Sequence, residues 1–268
     1  MRKRQTAIEF GPRTQDDHRF VEALARGLSV LRAFRHGDTD LSNQDFVERT
    51  GLAKATVSRL TFTLTRLGYL SYSLKTGRYR LEAPVMALGY TYLAELGIKR
   101  LAKPLMQELS DYAGLPVALG ARDHMSMIYV ECCRSSDAIT LSIEVGAHIK
   151  MGSSALGRAY IAGLSQSDRT TLLEELSEHE GANWSSVEAG ILEALETYNN
   201  HGYCLSVGNW KRDVNSVGVP YRPPDGSPPL AFNCGGAAFL LDQKKLIDDI
   251  APRLVELVKR LETSQLAI

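Results

Sequence analysis

Between Lys54 and Arg66 the chain carries Lys54, Thr56, Ser58, Arg59, Thr63 and Arg66 on what would be the opposite and flanking faces of a helix whose apolar stripe is Val57, Leu60, Leu64 and Leu67. Ammonium and guanidinium groups pair with guanine edges or phosphates, and hydroxyls serve either, so this face has the chemistry to read a duplex groove. Ala55 is small enough to let the backbone approach a groove, and Lys75, Arg78 and Arg80 follow on a short basic stretch suited to phosphates. The alternative is a merely solvated helix face. A second group, Gly152-Ser153-Ser154-Ala155-Leu156, opens another helix, and the free amides near Ser154 attract an anion such as a carboxylate. Read more plainly, the serine pair is only an N-cap.

Other chemistries lack their residues. The serine loop omits the last glycine of a nucleophile elbow and has no strand-turn-helix context with a later Asp and His, so a small-molecule hydrolase is the weaker alternative. There is no Walker loop and no Gly-x-Gly-x-x-Gly opening a helix. The six histidines are scattered, so neither a metal site nor a cofactor is expected. Cys132, Cys133, Cys204 and Cys234 form no CxxC pair, which fits free thiols in a reducing compartment. No apolar run reaches the roughly 20 residues that cross a bilayer, and Met1-Arg2-Lys3-Arg4 runs into polar sequence, so the expected address is cytoplasmic and no membrane partner is expected.

The elements that must hold these residues are legible from periodicity. At 268 residues, with 44% hydrophobic and 23% charged, the chain has core enough for two globular domains. Phe20, Val21, Leu24, Leu28, Leu31 and Phe34 predict a helix with one face on a core. Ser42, with Asp45 three residues on, caps a short second helix, and Gly51 supplies a tight turn before the helix that begins at about Lys54. Gly68 ends that helix, and two strands flank Lys75-Thr76-Gly77 as a hairpin. Together these make a winged helix-turn-helix. Phe62 is expected in the core, under the wing, or else against a partner subunit. Beyond it, strands are predicted at 116–121, 127–132, 140–145, 204–207, 216–221 and 230–234, with helices at 101–112 (Pro104 in its first turn), 154–163, 166–176, 186–200 and 245–261. Zero net charge conceals an asymmetry, since residues 1–80 hold fifteen basic and eight acidic side chains. Excess positive charge beside this helix fits a phosphate-bearing partner, while an acidic remainder avoids one.

These motifs carry a resemblance. Ser42, Gly51-Leu52, Lys54-Ala55-Thr56-Val57-Ser58-Arg59-Leu60, Gly68-Tyr69-Leu70 and Thr76-Gly77-Arg78-Tyr79 resemble the N-terminal domain of the IclR family of bacterial regulators. Gly152 to Ala159, Gly202-Tyr203, Val217-Gly218-Val219-Pro220 and Asp225-Gly226 are similar to its sensor domain, more loosely. Departures are Thr61-Phe62, Gly208-Asn209-Trp210-Lys211 and Arg222-Pro223-Pro224. Residues 1–16, with mixed charge, Gly11-Pro12 and no periodicity, are expected to form a mobile arm. The resemblance implies an α+β chain: a winged helix-turn-helix over 17–82 including Ser42 among its DNA-binding positions, a linker helix over 83–99, and a GAF-like effector-binding domain with an antiparallel sheet over 100–268. It implies a non-enzymatic regulator of transcription that binds a double-stranded, roughly palindromic DNA operator as a homodimer or tetramer and answers to a small-molecule effector, a carboxylate or aromatic acid. A DNA-binding protein without a ligand is the other alternative. The resemblance places the effector near Met151, Ser153, Ser154, Ala155 and Leu156, with Ser206, Ser216, Cys234 and Gly236 on pocket-lining strands. Ser216 and Asn233 would add hydrogen bonds. Trp210 either stacks on an aromatic ligand or packs as core, and Lys211 and Arg212 either neutralise an acid or are solvated.

Overall fold

The computed structural model describes residues 19–135 and 143–265. The chain divides into two compact units, Met1–Glu95 and Leu96–Ile268. The expected arm over 1–16 lies outside the described residues.

The first unit runs α1 (Glu22–Arg32), β1 (Leu41–Ser42), α2 (Asn43–Thr50), α3 (Lys54–Arg66), β2 (Leu70–Ser73), β3 (Arg78–Leu81) and α4 (Ala83–Glu95). Its three short strands form an antiparallel sheet in the order β1-β3-β2. The start of α2 is a capping box: the Ser42 hydroxyl accepts from the Asp45 amide at 3.2 Å, and the Asp45 carboxylate accepts from the Ser42 amide at 2.7 Å. Gly51, at φ 68°, ends α2 in the left-handed conformation and turns the chain into α3. Val30, Leu41, Phe46, Val57, Leu64, Leu70 and Tyr79 form the core. Phe46 sits at its centre, edge-on to Phe34 at 5.5 Å and to Tyr79 at 5.9 Å.

Three expectations for this unit need correction. Phe20, Val21, Leu24 and Leu28 are about half exposed or more, so α1 sends only Val30 fully inward, with Leu31 and Phe34 packed beside it. Along α3 the buried stripe is Val57, Thr61 and Leu64, because the helix ends at Arg66 and leaves Leu67 on the surface. Thr61 tolerates burial by donating its hydroxyl to the carbonyls of Val57, at 3.0 Å, and Ser58. Phe62, one position round the helix, is 67% exposed rather than core.

The second unit contains α5 (Ile98–Ala113), β4 (Val117–Asp123), β5 (Ser126–Cys133), β6 (His148–Lys150), α6 (Ala155–Gly163), α7 (Gln166–Glu180), α8 (Trp184–His201), β7 (Cys204–Val207), β8 (Val214–Tyr221), β9 (Leu230–Ala237), α9 (Gln243–Lys245), a wide turn over Leu246–Ile250, and α10 (Ala251–Gln265). Six strands form one antiparallel sheet in the order β6-β5-β4-β9-β8-β7. Helix α6 packs on one face, and α5 packs on the other, with α10 against α5, β8 and β9. The strand predicted over 140–145 is not found: 140–142 lie outside the described residues, 143–145 are not strand, and the edge strand is β6. Pro104 is in the body of α5 instead of its first turn, since the helix begins at Ile98, and it leaves the Arg100 carbonyl without its helical donor.

Candidate functional sites

In the first unit, α3 offers Lys54, Ala55, Ser58, Arg59, Thr63 and Arg66 to solvent, with Thr56 half-buried. The core side chains Val57, Thr61 and Leu64 fix which face this is. Ala53 caps the helix without a side-chain hydrogen bond, so the first amides of α3 keep their donors. Among the described residues no ion pair engages Lys54, Arg59, Arg66 or Lys75, and all four are exposed.

Two of the expected contacts have other work. Arg78 donates to Asp40 at 2.5 Å and to Asp45 at 2.9 Å, which ties the wing to α2 and neutralises it. Ser42 is occupied by the capping box. Arg80 sits 3.6 Å from Asp40 but keeps 63% of its side chain exposed. Arg49 bridges α2 to the end of α1, donating to the Ala33 carbonyl at 2.9 Å and pairing with Asp38. That hydrogen bond holds the Asp38 carboxyl below its ordinary range, and the Ser42 amide and hydroxyl do the same for Asp45.

In the second unit the strand registers sort the expected effector residues by face, because directly opposed residues in an antiparallel pair point the same way. One row runs Ser206, Ser216, Gly235; the next runs Cys204, Gly218, Asn233, Ala118, Cys132. A Cβ on Gly218 would run into the Ala155 carbonyl and one on Gly120 into the Leu156 side chain, so this is the face on which the first turn of α6 lies. Ser206 donates to the Ser153 carbonyl at 2.8 Å, drawing the Ser153-Ser154 loop over the same face. Met151, Ala155 and Leu156 are buried there, and Trp210 is packed partly against the same cluster with the Lys211 ammonium 4.5 Å from its ring centre. Ser206, Ser216, Asn233, Ser153, Ser154 and the start of α6 thus come together.

Cys234 and Gly236 do not join them. Cys234 opposes Val217 and Val117, and Gly236 opposes Asn215 with its α-carbon against Leu115, all on the α5 face. The strand period of two separates them from Asn233.

The Ser154 hydroxyl caps α6, accepting from the Gly157 amide at 3.1 Å and donating to the Lys150 carbonyl at 2.6 Å. The amides of Ala155 and Leu156, at the first two helical positions, have no helical acceptor. Behind them is a residue the sequence reading passed over. Arg158 is 4% exposed, and its hydrogen-bond partners among the described residues are neutral oxygens: the carbonyls of Gly152 and Leu205, and Asn209 Oδ1 at 3.0 Å. Burial lowers its pKa from the usual arginine value, with Glu193 opposing at longer range. The available signal was an arginine inside an otherwise small and apolar helix, Ala155 to Gly163. Among the described residues, two buried side-chain oxygens on this side of the unit, Ser153 Oγ and Asn233 Oδ1, have no hydrogen-bond partner. The thiols are inert, with burial pushing Cys132, Cys204 and Cys234 up to about 12 and Cys133 up to about 11.

The IclR helix-turn-helix domain matches residues 23–73, and the bacterial transcriptional regulator IclR C-terminal domain matches residues 90–262. Among curated proteins, the HTH-type transcriptional regulator TsaQ1/TsaQ2 of Comamonas testosteroni is 34% identical over 249 residues, spanning 92% of this chain and 89% of its own. A crystal structure of an IclR family transcriptional regulator from Brucella abortus is 44% identical with a TM-score of 0.85, covering 96% of both chains. The fold also resembles an IclR homologue from Microbacterium hydrocarbonoxydans complexed with 4-hydroxybenzoate, at 20% identity and a TM-score of 0.71 over 92% of this chain and 100% of that one.

Proposed function

Because the chain belongs to the IclR family of bacterial transcriptional regulators, whose members regulate transcription rather than catalyse reactions, we propose that it binds a double-stranded operator with α3 and adjusts that grip to a small organic acid. Lys54, Ser58, Arg59, Thr63 and Arg66 face the groove, with Thr56 at its edge. Lys75 and Arg80 lie along phosphates, and the uncapped start of α3 presents amides to the backbone. A homodimer presents this surface twice, which calls for a roughly palindromic operator, and pairing of dimers gives a tetramer. The apolar residues left on the surface of α1 and α4 support self-association: Met86, Leu88 and Tyr90 are each more than 60% exposed in the single chain.

The observation that carries the acid reading is the electrostatics at the start of α6. Two amides without helical acceptors and a buried arginine whose hydrogen-bond partners among the described residues are neutral all favour negative charge there. Met151, Leu156 and Trp210 provide apolar walls suited to an aromatic acid, and 4-hydroxybenzoate is the ligand named for the Microbacterium neighbour. A thermal-shift series of carboxylic acids against their neutral amides tests this. Acids that raise Tm while the amides leave it unchanged support the reading, because selective binding to the folded state stabilises it. Equal responses to both sets overturn it.

A further inference from the structure

We propose that Leu74, at the tip of the hairpin formed by β2 and β3, enters the minor groove beside the half-site that α3 reads and wedges into a base step there, making the flank of the operator selective for deformable steps. The inference rests on the DNA-binding reading of the first unit and adds a contact which that reading does not use. At 92% exposure Leu74 is the most exposed large apolar side chain among the described residues. A single leucine in solvent is ordinary on a protein surface. This one differs in its place, a turn where glycine, asparagine, aspartate and serine are the usual occupants.

The turn holds that side chain out firmly. The Gly77 amide donates to the Ser73 carbonyl at 2.8 Å, the Thr76 amide donates to the Ser73 hydroxyl at 3.3 Å, and Gly77 closes the loop at φ 69°. Behind the turn the Tyr72 and Tyr79 ring centres lie 4.7 Å apart, and the Tyr72 hydroxyl stands 3.8 Å from where a Cβ on Gly77 would be. Arg78 ties β3 to Asp40 and Asp45. The tip is thus built before any partner arrives, so little ordering is needed when one covers it.

Charge identifies that partner. From Lys54 to Leu81 the chain carries Lys54, Arg59, Arg66, Lys75, Arg78 and Arg80 and no aspartate or glutamate. An apolar tip set in such a stretch suits a polyanion with stacked bases to part, and not a second copy of the same cationic surface. The reach agrees: β2 carries the turn about 14 Å beyond Leu70, against about 17 Å, half a DNA turn, between a major groove and the next minor groove. The minor groove is about 6 Å wide and walled by phosphates, which Lys75 can meet while Leu74 goes in between them. A leucine pushed between base pairs unstacks one step and kinks the duplex. Pyrimidine-purine steps such as TA and CA yield most easily, whereas A-tracts are stiff and narrow. Selectivity follows at a position where no hydrogen bond reads a base.

The test uses the full chain and a duplex that it selects from a randomised pool, rebuilt with TA, CA or AA at the flanking step about five base pairs from the centre of each half-site. By fluorescence anisotropy the TA and CA duplexes are expected to bind about five- to tenfold more tightly than AA. 2-Aminopurine placed in the TA step is expected to brighten on binding as it unstacks. Leu74→Ala is expected to weaken the TA duplex about tenfold, the lower value for a buried leucine, and to erase both the step preference and the brightening. The salt slope and Tm stay unchanged, since no charge and no core contact is lost. Leu74→Met restores affinity, preference and brightening. A step preference that persists in Leu74→Ala, or an affinity that does not fall, overturns the inference and leaves the DNA reading standing. A fall that comes with a lower mass by light scattering makes Leu74 a contact between subunits and overturns it too. If the chain selects no duplex, both fall.

Discussion

Arg59 and Arg78 are the same residue type about twenty positions apart, and the structure gives them opposite circumstances. Arg59 is exposed on α3 with no ion pair among the described residues, whereas Arg78 is spent on Asp40 and Asp45. Arg59→Ala is therefore expected to weaken operator binding by about 1–3 kcal/mol at fixed salt, read by fluorescence anisotropy, with Tm unchanged. Arg78→Ala is expected to lower Tm, modestly because these pairs are partly solvated. A variant of Arg78 that keeps its Tm and loses DNA would return that residue to the phosphate backbone. The carboxylates in the same network make stability depend on pH in a definite sense. The Asp38 carboxyl is held down mainly by its hydrogen bond from Arg49, and Asp45 mainly by the Ser42 amide. A depressed folded pKa contributes stability above the unfolded value, near 3.9 for aspartate, and loses it as pH falls through the folded value. The winged unit should thus hold a constant Tm from pH 7 to about 5 and weaken below about pH 4. Asp38→Asn should lower Tm at neutral pH and flatten that acid fall, measured by circular dichroism melts across pH; an undiminished fall would assign it to other carboxylates.

At the scale of elements, the start of α6 is set by contacts that only small residues permit. A Cβ on Gly157 would strike the Met151 backbone, and Ser154 closes the loop by bonding both the Gly157 amide and the Lys150 carbonyl. Ser154→Ala is expected to cost about 1 kcal/mol of stability as a lost N-cap, measured by denaturant titration. Gly157→Ala should displace the 151–154 loop and reduce acid binding in the thermal-shift series; an unchanged response would move the site away from the helix start. Elements with short-range grammar were legible in the sequence. The Ser42 capping box, the Gly51 turn and the Thr76-Gly77 hairpin are each specified by two or three neighbouring residues, and each stands where the sequence put it. Facing was less legible, because it depends on partners far along the chain. Cys234 and Asn233 are adjacent in sequence, but register with β8 and β4 sends them to opposite sides of the sheet. Phe62 and Leu24 look like core by type, yet the single chain offers them nothing to pack against. Arg158 escaped notice because burying a guanidinium among carbonyls leaves no periodic trace.

For the whole molecule, the surface apolar residues and the free cations point to association, with itself and with a polyanion. Helix α4 has no buried residue in the single chain although Val85, Met86, Leu88, Tyr90, Tyr92 and Leu93 make it strongly apolar. A helix apolar on all sides is stable in water only when something covers it. Replacing Leu88 and Tyr90 together by Glu is expected to give a monomer by light scattering; a dimer that persists would place the self-association elsewhere. DNA affinity then gives an independent reading of the same assembly through its salt dependence. Each phosphate neutralised releases counterions and adds about 0.9 to the slope of log affinity against log salt. In a dimer a contact made once per subunit counts twice. Lys75, exposed at the wing turn and outside the ion pairs that occupy Arg78, is expected to touch phosphate alone. Lys75→Ala should accordingly make the slope shallower by about 2 and weaken cognate and unrelated duplexes alike. A change of about 1 would mean that one wing of the pair is off the duplex, and a loss confined to the cognate sequence would make Lys75 a reader of bases instead.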